Sequence, residues 1–530
     1  MGTPSHVDRR ELLRAAFAAA GTLWLPRGAF AQPRWPEDPF SLGVASGSPG
    51  VDSVVLWTRL LPARGDLPEG GRTPLPVRWE VAHDEGFTRL AQRGVTLALP
   101  QLGHGVHVEV PGLEPDRWYF YRFLAGGATS AVGRTRTLPL PDAQVERLRI
   151  AYASCQRWEH GFYAAWRHLR AHAPDLVLFL GDYIYEYPVI DAVVRGFPTL
   201  SWVKTLPQYR ARYALHRSDP ALQAAHAACP WLVTWDDHEV QNDYAATHAG
   251  DDRPLRMNRV DDFAARRAAA YQAYYEHMPV RASAFARALA GGGAPGELRL
   301  YERYRFGRLA DLLVLDDRQY RDPQVCSRAR RRTGLVAPAG CDAWNDARRT
   351  LLGRDQEAWL ERMFGEARGW TALAQETLFG RRDFLRGGGH VFANDGWDGY
   401  PAARRRLTDA LQRQGVPDAV FFGGDVHEHW VGAVKADYDD PRSAAVGTEF
   451  CGTSITSRTG DADRVPALLA NNPHFVYGEG RWRGYGIADF TPDRVTATLR
   501  AIDDPANPDA NAFTLAAFTV EAGHRRIERA

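Results

Sequence analysis

The chain has 530 residues, which is too long for one ordinary domain and suggests roughly two to four. Its 65 basic and 64 acidic residues leave a formal net charge of +1, so composition gives no electrostatic reason to expect nucleic acid as the main partner. Apolar residues make up 45% of the chain and charged residues 24%, which excludes a disordered protein. Five cysteines are too few for a disulfide-framed scaffold, and their odd number leaves at least one unpaired.

Residues 1–31 have the three parts of an export signal. A charged segment containing Arg9 and Arg10 precedes the apolar run AAFAAAGTLWL and the A-x-A sequence that ends at Ala31. The paired arginines before two leucines resemble the signal read by the twin-arginine (Tat) export machinery, with an ordinary Sec signal as the alternative. We therefore expect removal of residues 1–31, no membrane span in the mature protein, and a periplasmic or secreted location, where disulfides are permitted.

Residues 32–140 show short strands separated by turns. β-Branched and aromatic runs at residues 53–59, 77–81 and 118–123 alternate with turn-forming stretches, and no helical periodicity interrupts them. This spacing predicts a small β-sandwich of about one hundred residues. The stretch from Gly112 to Phe123, followed by Gly133-Arg134-Thr135-Arg136-Thr137, resembles a fibronectin type III-like module. The segment contains no catalytic constellation, so we expect it to act as a packing partner or spacer.

From residue 145 to residue 530 the pattern changes to buried strands alternating with helices. This alternation predicts an α/β domain (α+β in detail) with central sheets flanked by helices. Unbroken apolar runs predict strands at 148–153, 176–180, 232–235, 311–315 and 419–422. Helical periodicity predicts helices within 161–173, 259–275, 354–364 and 404–413. The predicted division is thus a signal peptide at 1–31, a sandwich at 32–140 and a catalytic domain at 145–530.

Side chains able to bind metals follow four of these predicted strands. They are Cys155 after the first, Asp182 and Tyr185 after the second, Asp237 and His238 after the third, and Asp425 and His427 after the fourth. A single aspartate after a buried strand is usually a turn or cap residue. Four such strands in one domain, at the edge where open α/β sheets place their ligand sites, indicate a metal site with several ions.

The ligand types narrow the choice of metal. Carboxylates suit hard ions such as Ca²⁺, Mg²⁺ or Mn²⁺, whereas His427 suits a transition metal. Tyr185 lies three residues after Asp182, so a turn after the strand can aim both at one ion. Phenolate and thiolate together neutralise a trivalent ion, which favours Fe³⁺. Taken singly, Tyr185 is more often a packed aromatic side chain and Cys155 a small buried one.

These motifs together resemble the PhoD-like alkaline phosphatases, relatives of the purple acid phosphatases within the calcineurin-like metallophosphoesterases. The resemblance covers nearly the whole chain and rests on the strings ASCQ, FLGDYIYE, WDDHE, GGDVHEHW, DRQYRD (317–322) and NDGWDGYP (394–401). It implies a metallophosphoesterase fold for the catalytic domain. It also implies Fe³⁺ bound by Cys155, Asp182, Tyr185 and His427, and Ca²⁺ bound by Asp182 as a bridge together with Asp237 and Asp425.

The resemblance implies catalytic roles as well. His238 would contact phosphate or protonate the leaving oxygen, and Asp182 would join the two ions. Purple acid phosphatases carry aspartate at the position of Cys155, so this cysteine separates the two groups of enzymes. For a second calcium ion of the family, the sequence offers Asp236 and Asn394 as candidate ligands.

The predicted function is an exported metal-dependent alkaline phosphatase that hydrolyses phosphate monoesters and diesters for phosphate scavenging. A metal cluster supplies a nucleophilic hydroxide and neutralises the phosphoryl oxygens. The chain has no G-x-S-x-G elbow, Walker A loop or Rossmann fingerprint. Two alternatives stay open: a dedicated phosphodiesterase or nuclease on the same scaffold, and a non-catalytic cell-wall-binding protein. Expected partners are small-molecule or polymeric phosphate esters, without specific nucleic-acid recognition, and the Tat machinery.

Two cysteines are predicted to form a disulfide. Cys326 and Cys341 flank a loop that contains proline and glycine in a protein expected to be exported, whereas Cys229 and Cys451 lie in apolar stretches. Two separate free thiols are the alternative.

Overall fold

The computed structural model describes residues 35–62, 67, 71–189, 191–196, 201–250, 262–284, 298–327, 333–385 and 387–530. The predicted signal peptide, residues 1–31, lies outside the described residues. Within the described ranges, no helix combines the length and the apolar character needed to cross a membrane.

Strands and helices follow one another through the described residues. The strands are β1 Val44–Gly47, β2 Val54–Arg59, β3 Leu75–Ala82, β4 Leu90–Ala98, β5 Gly105–Val110, β6 Trp118–Ala125, β7 Ala128–Thr129, β8 Gly133–Arg136, β9 Leu148–Ala153, β10 Leu176–Leu180, β11 Trp231–Thr234, β12 Glu302–Phe306, β13 Ala310–Val314, β14 Leu335–Val336, β15 Trp370–Ala374, β16 Phe392–Ala393, β17 Ala419–Gly423, β18 His429–Lys435, β19 Ala445–Cys451, β20 Phe475–Glu479, β21 Arg483–Phe490, β22 Arg494–Ile502, β23 Ala512–Glu521 and β24 Glu528–Arg529. The helices are α1 Ala164–Ala171, α2 Leu206–Arg217, α3 Pro220–Ala228, α4 Phe263–His277, α5 Arg354–Gly365, α6 Pro401–Arg413 and α7 Val465–Asn471.

Two large mixed sheets form the centre of the fold. The first has the strand order β24-β23-β22-β21-β9-β10-β11-β1-β2-β5, and the second has the order β12-β13-β15-β17-β19-β18-β20. The middle of each sheet is parallel: β9, β10, β11 and β1 in the first, and β13, β15, β17 and β19 in the second. The outer pairs are antiparallel. The parallel centres therefore direct several strand ends toward one edge.

Strand β10 shows why its sequence is an unbroken apolar run. Leu178 and its alternate neighbours belong to the core between the two sheets, which also contains Phe422 of β17. Phe179 faces the opposite way, into a core shared with Trp166 of α1. Successive side chains of a strand point to opposite faces, so a strand covered on both sides is apolar at every position. The second sheet is covered on its outer face by α5 and α6, where Phe421 packs in the same core as the two helices.

The predicted elements are found with small shifts at their ends. The strand predicted at 232–235 begins and ends one residue earlier, and so does the strand predicted at 311–315. The helix predicted at 404–413 begins already at Pro401. Proline is well suited to the first turn of a helix, because its fixed φ is helical and its missing N–H would have no partner there. For the helix predicted at 259–275, residues 259–261 lie outside the described ranges.

The N-terminal strands form two β-layers around one core. The five-stranded sheet, with the order β4-β3-β6-β7 and β8 beside β6, packs on β1, β2 and β5. Trp79, Tyr121 and Leu56 are among the side chains of this shared core. Strand β1 pairs in parallel with β11, with Gly47 opposite Trp231, so one layer is continuous with the large first sheet. The sequence did not indicate this connection; a fibronectin type III-like relationship and a boundary at 140–145 stay predictions.

Cys326 and Cys341 form a disulfide, as predicted. Cys341 packs in a small separate cluster with Val336, Trp344 and Phe392. The other three cysteines, Cys155, Cys229 and Cys451, are free and buried. The bridge therefore joins Cys326 to a segment whose apolar cluster is small.

We expect Cys326→Ser combined with Cys341→Ser to lower the free energy of unfolding by about 3 kcal/mol. The bridge joins residues 15 positions apart, and opening a loop of that size restores conformational freedom to the unfolded chain. Urea unfolding with and without a reductant measures the effect: reductant should destabilise the wild type and leave the variant unchanged. Five free thiols in denatured, unreduced protein would contradict the bridge.

Candidate metal centre

The predicted ligands lie at one edge of the fold, where strand ends of both sheets meet. Cys155 follows β9 and Asp182 follows β10, whereas Asp425 follows β17 of the second sheet. A parallel bridge between Ser154 and Ser454 joins the end of β9 to the segment after β19. The site is therefore built between the two sheets, and not along one of them.

The carboxylate of Glu239 holds the turns after β10 and β11 in place. Its two oxygens accept hydrogen bonds from the backbone N–H groups of Asp182 (3.1 Å), Tyr183 (2.5 Å) and Asp236 (2.8 Å). Gly181 has a φ of 87°, and a Cβ at this position would lie 2.4 Å from Cβ of Asp236. Glycine is thus required for the close approach of the two turns, and Glu239 then fixes the backbone that carries the acidic side chains.

Five non-glycine residues of this edge have left-handed backbone conformations. They are Cys155, Asp182, Asp243, Asp425 and His427, with φ between 55° and 62°. This conformation costs of order 1–3 kcal/mol for a non-glycine residue, and such strain concentrates at functional sites. The occurrence of five such residues at this edge indicates that the turns after the strands direct their side chains toward shared ligand positions.

Among the described residues, three groups of side chains lie close enough to hold metal ions. In each group the ligand atoms are within 4.8 Å of one another. The first group is Cys155, Asp182 and His427, the second is Asp182, Asp237 and His238, and the third is Asp237, Asp243 and Asp395. Because Asp182 and Asp237 each belong to two groups, the three groups adjoin in a row.

Tyr185 lies in the first group as well. Its hydroxyl donates a hydrogen bond to Oδ2 of Asp182 at 2.8 Å and lies 3.2 Å from Nε2 of His427. Nδ1 of His427 donates to the carbonyl oxygen of Arg458 at 2.8 Å, so the lone pair of the neutral ring is on Nε2. Burial and the charge of Arg483 lower the pKa of His427 to about 3, which keeps the ring neutral. The structure thus brings together the four predicted iron ligands, Cys155, Asp182, Tyr185 and His427.

The electrostatics of the first two groups fit bound cations. Burial raises the pKa values of Cys155, Asp182 and Tyr185 well above their ordinary values. Oδ1 of Asp182 and Oδ1 of Asp237 are buried without a hydrogen-bond partner among the described residues, although buried polar groups are nearly always paired. A cation would supply the missing partner and stabilise the ionised forms. Thiol, phenol and imidazole donors fit Fe³⁺, and groups of carboxylates fit Ca²⁺.

Asp425 lies beside these groups. Its Oδ2 accepts a hydrogen bond from the Thr377 hydroxyl at 2.9 Å. Burial raises the pKa of Asp425 to about 6, and the charges of Asp237 and Asp395 act in the same direction while Arg318 opposes them. Asp425 therefore interacts electrostatically with Asp237 and Asp395 without being a member of their groups, and its role as a calcium ligand stays a prediction.

The third group contains two residues that the sequence analysis missed, Asp243 and Asp395. The backbone N–H of Asp243 donates to Oδ2 of Asp237 at 2.6 Å. Asp395 accepts from Nη1 of Arg318 at 2.7 Å and from Nε2 of Gln324 at 2.6 Å. Asp395 is the second residue of the string NDGWDGYP (394–401), but sequence alone does not tell which of several adjacent polar side chains faces inward.

Of the sequence candidates for a second calcium ion, Asp236 is not a member of this group of acidic side chains, and Asn394 as a ligand stays a prediction. Asp236 forms an ion pair with Arg318 through Oδ1. The amide of Asn394 accepts from the N–H of Gly334 and donates to the carbonyl oxygen of Val325, each at 2.9 Å. Asn394 thus hydrogen-bonds to both Gly334 and Val325, and the next residue, Asp395, is the member of the third group.

His238 forms a pair with Glu186. Its Nδ1 lies 2.7 Å from Oε2 of Glu186, whose other oxygen accepts the N–H of Asn242 at 2.7 Å. Burial would lower the pKa of His238, but the charges of Asp237, Asp182 and Glu186 outweigh it and raise the pKa well above its ordinary value. Because Nδ1 is engaged with the fully buried Glu186, Nε2 is the atom left to contact a substrate or a metal ion.

Comparisons with known proteins agree with this geometry. The family model for PhoD-like phosphatases matches residues 150–499, and the model for the N-terminal domain of PhoD-like phosphatases matches residues 27–139. The chain belongs to the PhoD-like phosphatase family. It is 42% identical over 534 residues to alkaline phosphatase D of Bacillus subtilis (strain 168), covering 97% of this chain and 88% of that protein. It also matches a solved structure of PhoD with a TM-score of 0.85 and 40% identity, covering 94% of this chain and 93% of that one.

The family membership predicted from the strand-end motifs is therefore confirmed, and the chain is an enzyme of the phosphatase class. The α/β architecture is confirmed by the similarity to the solved PhoD structure. The alternative of a non-catalytic cell-wall-binding protein is not supported. Residues 150–499 of the family match include every member of the three groups, from Cys155 to His427.

We expect Asp395→Asn to remove one divalent cation per chain and leave the iron content unchanged. The substitution takes a charge from the third group, while the first group, which contains the predicted iron ligands, does not include Asp395. Elemental analysis of wild type and variant gives the stoichiometry. Glu361→Gln, on the surface of α5, is the control that should retain every ion. An unchanged divalent content in Asp395→Asn would show that the third group does not bind a cation.

Proposed function

We propose that this PhoD-like phosphatase is an exported, metal-dependent alkaline phosphatase that hydrolyses phosphate monoesters and diesters and serves phosphate scavenging. The observation that carries the proposal is the row of three adjoining groups, in which one buried oxygen each of Asp182 and Asp237 has no hydrogen-bond partner among the described residues. Such a row suits an ester phosphate, because several cations can act together on one phosphoryl group. The relatedness to alkaline phosphatase D supports the same reaction.

In this proposal Cys155, Asp182, Tyr185 and His427 hold Fe³⁺. Ca²⁺ would be held by the carboxylates of the second and third groups, Asp182, Asp237, Asp243 and Asp395, with Asp425 completing the carboxylate set and His238 left free for the substrate. The bound ions would lower the pKa of a water ligand and neutralise the phosphoryl oxygens. The N-terminal layers, predicted as a fibronectin type III-like sandwich at 32–140, then support a metallophosphoesterase domain at 145–530.

His238 supplies the proton for the leaving group. As the bond between phosphorus and the ester oxygen breaks, Nε2–H of His238 donates its proton to that oxygen. Glu186 accepts the hydrogen bond from Nδ1–H and stabilises the charged ring before the transfer. Asp182 and His238 thus have different roles, one in holding ions and one in proton transfer.

We expect His238→Ala to keep the metal content and to lower kcat by about 10²–10⁴-fold, because general acid catalysis contributes about that factor. The loss should be largest for alkyl phosphates, whose leaving oxygens need a proton, and smaller for p-nitrophenyl phosphate. Glu186→Gln should lower kcat less, since the amide oxygen can still accept from Nδ1–H. Stoichiometric loss of a metal ion in His238→Ala would make His238 a ligand instead.

A further prediction concerns Cys155. Thiolate and phenolate ligands give charge-transfer absorption with Fe³⁺, so the purified enzyme should be coloured. Cys155→Ala should lose part of this absorption, iron and most of its activity, while Cys155→Asp should recover iron with a shifted spectrum. Cys229→Ala is the matched control, because Cys229 is buried in the core beside α1 and α3, away from the three groups. A colourless wild type that is fully active with calcium alone would contradict the assignment.

Substrate range and location have direct tests. Comparing p-nitrophenyl phosphate with bis-p-nitrophenyl phosphate separates the proposed mixed activity from a dedicated phosphodiesterase or nuclease, which would cleave only the diester.

Fractionation of host cells, with Arg9→Lys plus Arg10→Lys as the variant, tests export by the Tat machinery to the periplasm or medium. Retention of that variant's precursor inside the cell is the expected result.

A further inference from the structure

The loop of residues 453–458, which follows β19, lies against three of the four proposed iron ligands. The backbone N–H groups of Thr456 and Ser457 lie 3.4 Å and 3.2 Å from the carbonyl oxygen of Cys155 and donate to it. The Ser457 hydroxyl donates to the phenol oxygen of Tyr185 at 2.7 Å. The carbonyl oxygen of Arg458 accepts the hydrogen bond from Nδ1 of His427 described above. One short segment therefore contacts the backbone of Cys155, the phenol of Tyr185 and the imidazole of His427, which follow three different strands.

The hydrogen bond from Ser457 to Tyr185 has a defined direction. Oγ of Ser457 accepts the backbone N–H of Arg157 at 3.2 Å, which leaves its own hydroxyl proton for the phenol oxygen. Ser457 is fully buried, so the contact is shielded from solvent. A phenolate formed at Tyr185 can no longer donate to Asp182, but it still accepts the proton of Ser457.

Two buried arginines strengthen this arrangement. The guanidinium of Arg157 lies 4.5 Å from the centre of the Tyr185 ring, which places a positive charge over the face of the phenol. Nη1 of Arg483 donates to the carbonyl oxygens of Ser457 (2.7 Å) and His427 (2.9 Å). Arg483 thereby links the backbone of Ser457 to the backbone of His427. A displacement of Ser457 away from the phenol would therefore also affect His427.

We propose that Ser457 is a positioning residue that tunes the iron centre through Tyr185. The inference rests on the proposed Fe³⁺ site. A hydrogen bond to a phenolate oxygen stabilises its lone pairs, so the phenolate donates less electron density to the metal. The iron stays a stronger Lewis acid, and transfer of charge from the phenolate to Fe³⁺ requires more energy. Hydrogen-bond partners of metal ligands commonly act in this way on the metal's electronic state.

The test is the absorption spectrum of iron-loaded Ser457→Ala compared with wild type at equal iron content. Loss of the hydrogen bond should move the charge-transfer band to longer wavelength and lower kcat about tenfold. Ser457→Thr keeps a hydroxyl and should absorb at the wild-type wavelength. Thr456→Val is the matched control: its hydroxyl donates to the carbonyl oxygen of Arg157 at 2.7 Å and has no contact with Tyr185, so the band should stay in place.

A second measurement needs no substitution. In wild-type protein, the resonance Raman lines of an iron-bound Tyr185 phenolate should shift after exchange into D₂O, because the Ser457 proton exchanges for deuterium. The same lines in Ser457→Ala should not shift.

An unmoved band in Ser457→Ala, equal shifts in Ser457→Ala and Thr456→Val, or Raman lines insensitive to D₂O in wild type would each overturn the role of the hydroxyl. These results leave the iron site itself intact. A wild type without a charge-transfer band, or a band retained in full by Tyr185→Phe, would instead overturn the proposed iron–phenolate centre and this inference with it.

Discussion

The candidate metal centre depends on one constraint: acidic side chains are buried close to one another at the edge where the strands of both sheets end. Asp182 and Asp237 each approach two groups of potential ligands and have oxygens without partners among the described residues. Burying unpaired charges costs far more free energy than an ordinary protein has to spare. Bound cations reverse that balance, because each carboxylate then faces an opposite charge at close range. These carboxylates repel one another, and the fold still holds them in place. It does so through the left-handed turns after the strands, the close approach at Gly181 and the hydrogen bonds to Glu239.

The two-sheet architecture explains how unlike ligands reach one place. Parallel strands in both sheets end at the same edge, so thiol, phenol, carboxylate and imidazole side chains can come from separate strands and still converge. The donor sets then change along the row: Cys155 and His427 are at one end, and the carboxylates of Asp243 and Asp395 are at the other. A trivalent transition-metal ion and divalent ions that prefer oxygen ligands can therefore occupy neighbouring positions.

Much of this was predictable, because the relevant signals are local. Strands buried on both faces are unbroken apolar runs, and the side chains that follow them are read directly from the sequence. Contacts between distant segments carried no such signal. The pairing of β1 with β11, the position of Asp395 beside Asp237 and Asp243, and the contact of Ser457 with Tyr185, 272 residues apart, depend on how the sheets pack. Glu186 was likewise visible in a motif, but its partnership with His238 was not.

Anomalous X-ray diffraction from crystals of active enzyme, purified from its own host, tests the central claim most directly. Data collected on both sides of the iron absorption edge should show one iron peak among Cys155, Asp182, Tyr185 and His427. Longer-wavelength data should add calcium peaks beside Asp237. An active crystal with no iron peak among those four side chains, or with a different metal there, would contradict the account.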